Sequence, residues 1–244
     1  MKTKSNALND SEKGKIHAAQ LVAKNFVFDS FTVGVGTGST VNYFIQMLSE
    51  LVEEEELEII TVPSSIETEI QLTRSGLSTG TLIEYPELDL YVDGADIITK
   101  DFVLIKGGGA ALTIEKIMAS SSQEFIVIAD QSKYPAELLS HPVPIEILHK
   151  AINTVVRPIF TLGGEFQLRY GKGKMGPIIT DNGNIIGDVY FKQPYNPSEI
   201  EKSFNCIPGV IENGIFCSMA HKIVIGNAET ANAIIVNNTF TEQL

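Results

Sequence analysis

Residues 103–116 read Val-Leu-Ile-Lys-Gly-Gly-Gly-Ala-Ala-Leu-Thr-Ile-Glu-Lys. A short apolar run ends in Lys106, three glycines follow, and a helix-forming segment opens with Glu115 near its first turn. Three consecutive glycines are costly to order, because each loses more backbone freedom than any other residue. That cost implies a backbone that approaches something closely or takes φ values other residues avoid. Lys106 supplies positive charge on one side of the loop and Glu115 a carboxylate on the other. An anion cradle beside a carboxylate suits proton transfer on a small phosphorylated molecule. The plainer reading is a tight strand–helix turn with solvated flanking charges.

The same strand–loop–helix rhythm runs through the N-terminal half. Residues 31–37 (FTVGVGT) are β-rich, and after Gly38-Ser39-Thr40 apolar residues fall at Val41, Phe44, Ile45, Leu48 and Leu51 or Val52, a helical stripe. A strand is expected over Leu57–Val62, then a helix after Ser64-Ser65 that stops near Gly76. Further strands are expected at Leu88–Val92, in the short run Val103–Ile105 and at Phe125–Ala129, with a helix through about Ala119 before the last. This alternation predicts an α/β fold: a parallel sheet covered on both faces. Ligands bind such sheets beyond the carboxyl ends of the strands. Those ends carry Gly36–Thr40, Pro63–Ser65, Asp93–Asp96 and Asp130–Lys133, with Lys106 following a further short run.

The texture changes after Pro142. PVPIEI, FQLRY, PIIT and NIIGDVYF read as short strands, with a tight turn at Asp181-Asn182-Gly183-Asn184. A short helix is expected over 197–205, opened by Asn196-Pro197-Ser198. Residues 143–216 are therefore read as a smaller α+β domain, and 1–142 with 217–244 as the main one. The run His221–Ile225 returns to the first sheet, followed by a helix-like stretch at 228–234.

Composition excludes several classes. Of 244 residues 43% are apolar and 20% charged, enough for a substantial core, and no window approaches the roughly 18 uninterrupted apolar residues of a membrane span. No apolar signal segment follows the basic N-terminus, so a cytoplasmic protein is expected. Cys206 and Cys217 lack C-x-x-C spacing and are expected to be reduced and structural. His17, His141, His149 and His221 form no metal-binding pattern, so no metal is expected. A net charge of −12 without a basic stripe argues against nucleic acid, and an anionic ligand would need local attraction against the global field. The acidic run Glu53–Glu56 reads as a solvated helix end.

Gly34-x-Gly36-x-Gly38-Ser39-Thr40 follows a strand and opens a helix, so its N–H groups and hydroxyls, with Thr37, can hold a phosphate. A dinucleotide fingerprint would need its third glycine at Ser39 or Val41 and an acid after the second strand, where Val62-Pro63-Ser64-Ser65 offers none. A phosphate loop of the Gly-Lys-Ser/Thr type would need a lysine that is absent here. NAD and ATP are thus both disfavoured, and a structural turn capped by Thr37 or Ser39 is the alternative. Asp93-Gly94-Ala95-Asp96 sets two carboxylates on a glycine turn, able to cap turns or to hold sugar hydroxyls and relay protons. Lys133 follows a strand end and could meet an anion; taken alone it reads as a surface lysine.

Taken together, GVGTGST (34–40), YVDGAD (91–96), IKGGGAALTIEKI (105–117), IADQSK (128–133), TDNGN (180–184) and IPGV (207–210) resemble the type A ribose-5-phosphate isomerase family, in the family's order. The resemblance implies a cofactor-free aldose–ketose isomerase acting on a pentose phosphate. It also implies a Rossmann-like domain plus a small α+β domain, in a homo-oligomer for which a dimer is favoured. By the same resemblance Glu115 matches the catalytic base, with Lys106, Asp93 and Asp96 as its catalytic companions. Thr37, Gly38, Ser39, Thr40, Asp93, Gly94, Ala95, Asp96, Lys106, Gly107, Gly108, Gly109 and Lys133 match the substrate-binding segments. Lys106 would oppose charge on an enediolate oxygen, while Asp93 and Asp96 would hold hydroxyls and assist ring opening.

Two positions depart from the family pattern: Ile97 stands where a glutamate is usual, and Ile114 where an arginine is common. The first 25 residues match weakly, although Lys13 or Lys15 could approach a phosphate. A non-catalytic sugar-phosphate sensor, an aminosugar-phosphate deaminase and a CoA-transferase-like protein are the other readings. The pairing of Glu115 with Lys106 disfavours the first, the lysine–triple-glycine block the second, and the lack of an acyl-accepting motif the third.

Overall fold

In the computed structural model, which describes residues 8–173 and 175–238, a helix the apolar pattern did not announce comes first. It is α1 (Asp10–Phe26), opened by a capping box in which Asn9 and Glu12 satisfy each other's backbone N–H groups. Its buried face is Gly14, Ala18, Ala19, Val22 and Ala23, too small in side-chain volume to stand out as a stripe. Then follow β1 (Thr32–Val35), α2 (Ser39–Glu55), β2 (Ile60–Pro63), α3 (Ile66–Arg74) and β3 (Leu88–Asp93). The stripe foreseen on α2 is the buried one: Val41, Phe44, Ile45, Leu48 and Leu51. Glu53–Glu56 are exposed, as expected of a solvated end.

Next come β4 (Ile97–Ile98), β5 (Val103–Ile105), α4 (Leu112–Ser121) and β6 (Ser122–Asp130). The second half holds β7 (Val143–Ile147), α5 (Val156–Thr161), β8 (Gly164–Leu168), β9 (Ile185–Phe191), α6 (Pro197–Asn205) and β10 (Val210–Asn213). It closes with β11 (Ile215–Cys217), β12 (Lys222–Asn227) and β13 (Asn232–Asn237).

The main sheet has the order β13-β12-β6-β3-β1-β2. Its members from β12 to β2 run parallel, and β13 adds antiparallel to β12 at the edge. Side chains alternate between two cores: Ile126 and Ile128 face the one holding α1 and α2, while Phe125, Val127 and Ala129 face the other. Each fully buried Val, Leu, Ile or Phe there contributes about 1.5–3 kcal/mol of burial free energy. From β1 the chain goes to one side for β2 and later to the other for β3, so a crevice opens where β1 and β3 end.

Three expectations change. The 103–105 run does not extend the parallel series; it sits in a separate antiparallel sheet ordered β11-β5-β4, because β4 and β5 form a hairpin closed by Phe102 and Thr99. Residues 228–234 are no helix. The Asn227 side chain accepts from the N–H groups of Glu229 and Thr230, Ala231 takes φ 50°, and the chain reverses into β13, whose Ala-Ile-Ile-Val core favours a strand. PIIT makes only single bridges, Tyr170 to Pro177 and Ile179 to Ile185. The remaining antiparallel sheet, β10-β7-β9-β8, shares a core with β4, β5 and β11 through Ile97, Ile105, Ile145, Ile147, Phe204 and Ile215. The glycine loop is thereby seated between the two sheet systems.

Candidate active site

Beyond the carboxyl ends of β1 and β3 lies a cavity of about 190 Å³, below the roughly 300–1,000 Å³ of drug-sized sites and suited to a small metabolite. It is lined by Lys15, Thr37–Val41, Gly94–Asp96, Lys106–Gly109, Glu115 and Lys133. Every residue expected from the sequence is there except Asp93.

One end gathers cations and open backbone N–H groups. Gly38 caps α2 without any side-chain bond, leaving the first N–H groups of the helix open toward the cavity. Lys15, on α1, places Nζ 3.0 Å from Ser39 Oγ, whereas Lys13 turns away to pair with Asp10 at 3.2 Å. Lys133 arrives from the short turn after β6, where Asp130 accepts from Ser132 N–H and from Ser11 of α1. Thr37 is fixed by a knot of hydroxyls, its Oγ1 lying 2.8 Å from Ser64 Oγ, 2.7 Å from Ser65 Oγ and 3.1 Å from Thr68 Oγ1. Sequence reasoning missed this knot, since serines and threonines before a helix read as ordinary caps.

The other end is buried. Lys106, 3% exposed, donates to Asp93 Oδ2 at 2.6 Å and to the Gly94 carbonyl at 2.7 Å, and lies 3.2 Å from Glu115 Oε2. Burial alone would lower its pKa, but the charges of Asp93 and Glu115 outweigh that and hold it above the ordinary lysine value. Glu115, in the first turn of α4, is 2% exposed. Burial is the main cause that raises its pKa, to about 8; Lys106 opposes the rise and Asp93 adds to it. Apart from that ion pair its Oε2 has no partner among the described residues, and Glu115 contributes to the cavity wall beside Lys106.

Asp93 was expected to touch a ligand. It is fully buried behind the cavity wall, with Oδ1 accepting from the N–H groups of Thr37 (3.1 Å) and Gly94 (2.7 Å). Its Oδ2 accepts from Lys106 and from the Tyr91 hydroxyl. Burial first, then Asp93, pushes the Tyr91 phenol well up, which keeps it a donor. With both oxygens engaged, Asp93 holds Lys106 and the β1 loop in place. Asp96 does line the cavity, its Oδ2 accepting from Gly108 N–H at 2.8 Å.

Close packing enforces this geometry. A Cβ on Gly36 would lie 1.9 Å from Asp93 Cγ. We therefore expect Gly36→Ala to displace Asp93 and cut turnover at least tenfold, a wild-type rate in a steady-state assay being the contrary result. Gly107 sits at φ 104°, a backbone conformation few other residues adopt. Arg169, just after β8, fixes the same loop by donating from Nη1 to the carbonyls of Gly107 (2.7 Å) and Gly108 (3.1 Å) while its Nε pairs with Asp188. No local signal marked Arg169, which reads as a strand-end residue. Ile97 is buried in the shared core and Ile114 packs against the core around Phe125, so both departures sit in apolar surroundings. No cluster of three or more His, Cys, Asp or Glu side chains among the described residues is arranged to hold a metal. No helix among them is long and apolar enough to cross a membrane.

The sequence model of one family, described as ribose 5-phosphate isomerase A (phosphoriboisomerase A), matches residues 60–230. The chain is 43% identical over 233 residues to the ribose-5-phosphate isomerase A of Methanosarcina acetivorans, covering 96% of this chain and 98% of that one. It is 40% identical over 224 residues to that of Pyrococcus abyssi, covering 91% and 97%. Among solved structures, ribose 5-phosphate isomerase A from Methanocaldococcus jannaschii superposes with a TM-score of 0.86 at 38% identity, covering 91% of this chain and 97% of that one. A D-ribose-5-phosphate isomerase in complex with phospho-erythronic acid superposes with a TM-score of 0.88 at 37% identity, covering 94% and 100%. Fold, motif order and full-length similarity agree: the chain belongs to the ribose 5-phosphate isomerase A family.

Proposed function

We propose that this protein interconverts D-ribose 5-phosphate and D-ribulose 5-phosphate by moving one proton between C2 and C1 through a cis-enediolate. The observation that carries the reading is the buried Glu115–Lys106 pair, Oε2 lying 3.2 Å from Nζ, in the wall of a cavity that is also lined by Lys15, Lys133 and the open start of α2. The phosphate sits at the start of α2 with Lys15 and Lys133, and Asp96 meets a sugar hydroxyl and assists ring opening. In the open chain Glu115 takes the C2 proton. The C–H electron pair forms the C1–C2 double bond, and charge moves to O1, where Lys106 opposes it. Return of the proton to C1 leaves a carbonyl at C2, as the O2 hydroxyl proton passes to O1. Phospho-erythronic acid, held by one relative, is a phosphorylated sugar acid and so supports the ligand class. Action as a homodimer, which rests on the family resemblance, belongs to the same proposal, as does a cytoplasmic location, which the free Cys206 and Cys217 favour.

The test is conversion of ribose 5-phosphate by the purified protein together with its pH dependence. A base works deprotonated, and Glu115 is raised to about 8, so kcat/KM rises with pH through neutrality and levels off above that value. A rate independent of pH from 6 to 9 would remove Glu115 as the titrating base.

A further inference from the structure

Glu146 is a buried titratable side chain that the mechanism leaves unused. It is fully buried in the middle of β7, between β9 and β10, in a strand whose other residues are also buried. A carboxyl group there is tolerable only if it is well hydrogen-bonded. Its Oε1 accepts from Thr180 Oγ1 (2.8 Å), Asn184 Nδ2 (2.8 Å) and Asn182 Nδ2 (3.1 Å). Its Oε2 accepts from Asn182 Nδ2 (3.3 Å) and from Thr113 Oγ1. Thr113 lies in the first turn of α4, two residues before Glu115. That turn has no side-chain cap, its N-cap position being Ala111, so Glu146 supplies an anchor the helix otherwise lacks.

The other arm of the network leads to the anion end. The turn holding Thr180–Asn184 closes on itself through Gly183 N–H to the Thr180 carbonyl and Asn184 N–H to Thr180 Oγ1. Between them Asp181 Oδ2 accepts from Ile66 N–H at 2.9 Å, at the start of α3. The preceding residue, Ser65, takes the Thr37 hydroxyl. One buried polar group thus ties the helix of Glu115 to the loop of Thr37, and none of Glu146, Thr113, Thr180 or Asp181 lines the cavity.

We propose that Glu146, with the Thr180–Asn184 turn, is a positioning latch that sets the first turn of α4, and hence Glu115, against the substrate. The proposal rests on the reading of Glu115 as the base. A displacement of about 1 Å in a reacting group can cost roughly 100-fold in rate, so a latch of this kind acts on kcat while leaving binding largely intact.

The test is a series at Thr113, which is half-buried, with Glu146→Gln beside it. Thr113→Val keeps the shape and removes the donor; we expect kcat to fall about tenfold or more with KM within twofold. Thr113→Ser restores the rate, and Glu146→Gln, in which an amide donor replaces one of the two acceptor oxygens shared by four donor side chains, reproduces the loss. In a Glu115→Gln background Thr113→Val costs nothing further, because its effect passes through Glu115. A folded Thr113→Val protein with kcat within twofold of wild type overturns the latch, and so does an equal fold-loss in both backgrounds. Should Glu146→Gln not fold, the Thr113 series alone decides. Wild-type turnover in Glu115→Gln itself sinks the base assignment, a result read separately from the latch.

Discussion

Glu115→Gln is expected to lower kcat by at least about 1,000-fold while KM for ribose 5-phosphate stays within about threefold. General-base catalysis alone supplies roughly 100- to 10,000-fold. The loss falls in the upper part of that range because no second carboxyl group reaches the place of Glu115. Asp93 has both oxygens occupied behind the wall, and Asp96 is turned to Gly108. Binding is expected to survive, since the proposed phosphate contacts, Lys15, Lys133 and the start of α2, are left unchanged by the substitution. The fold survives too. A folded-state pKa of about 8 against an ordinary 4.5 means that the group's contribution to stability is full below 4.5 and is lost as pH rises through 8. The variant, with nothing to ionise, is therefore at least as stable as wild type at pH 8. Thermal unfolding and steady-state kinetics on one preparation check both statements; a wild-type kcat, or a kcat loss matched by loss of fold, contradicts them.

Lys106→Met is expected to lower kcat by roughly 100- to 1,000-fold, the loss typical of removing one preorganised donor from a developing oxyanion. Two further effects distinguish this from mere damage. Lys106 is the partner that lowers the Glu115 pKa, so its removal moves the acidic limb of kcat/KM upward. It also leaves Asp93 buried without a cation, and breaking a buried pair costs about 3–5 kcal/mol. The double variant Lys106→Met/Asp93→Asn removes that stranded charge, so it recovers stability without recovering turnover. Recovery of both together would mean that Lys106 serves the fold alone.

The parallel sheet was legible because its signal is local. The stripe of α2 and the apolar runs of β3 and β6 announce themselves within windows of a few residues. α1 was illegible as an amphipathic helix because alanines and a glycine make up most of its buried face, although Asn9 and Glu12 spelled a capping box. No tripeptide reveals which sheet it joins, which is why Val103–Ile105 was read with the parallel strands. At the site, the glycine loop, Lys106 and Glu115 stood out by residue type and spacing, and the family pattern gave them roles. Asp93 shows the limit of that reading. Its type suits a substrate contact, and only the three-dimensional arrangement reveals Thr37, Gly94, Tyr91 and Lys106 converging on its oxygens. Arg169 and Glu146 were invisible for the same reason: each is a charged residue at or in a strand, and its partners lie 19 or more positions away.

The most direct test follows ribose 5-phosphate with the purified protein in heavy water, observing the product by NMR. The account predicts ribulose 5-phosphate carrying solvent deuterium at C1, because a carboxyl group that holds the migrating proton can exchange it. A folded protein that binds phospho-erythronic acid yet leaves ribose 5-phosphate unconverted would contradict it.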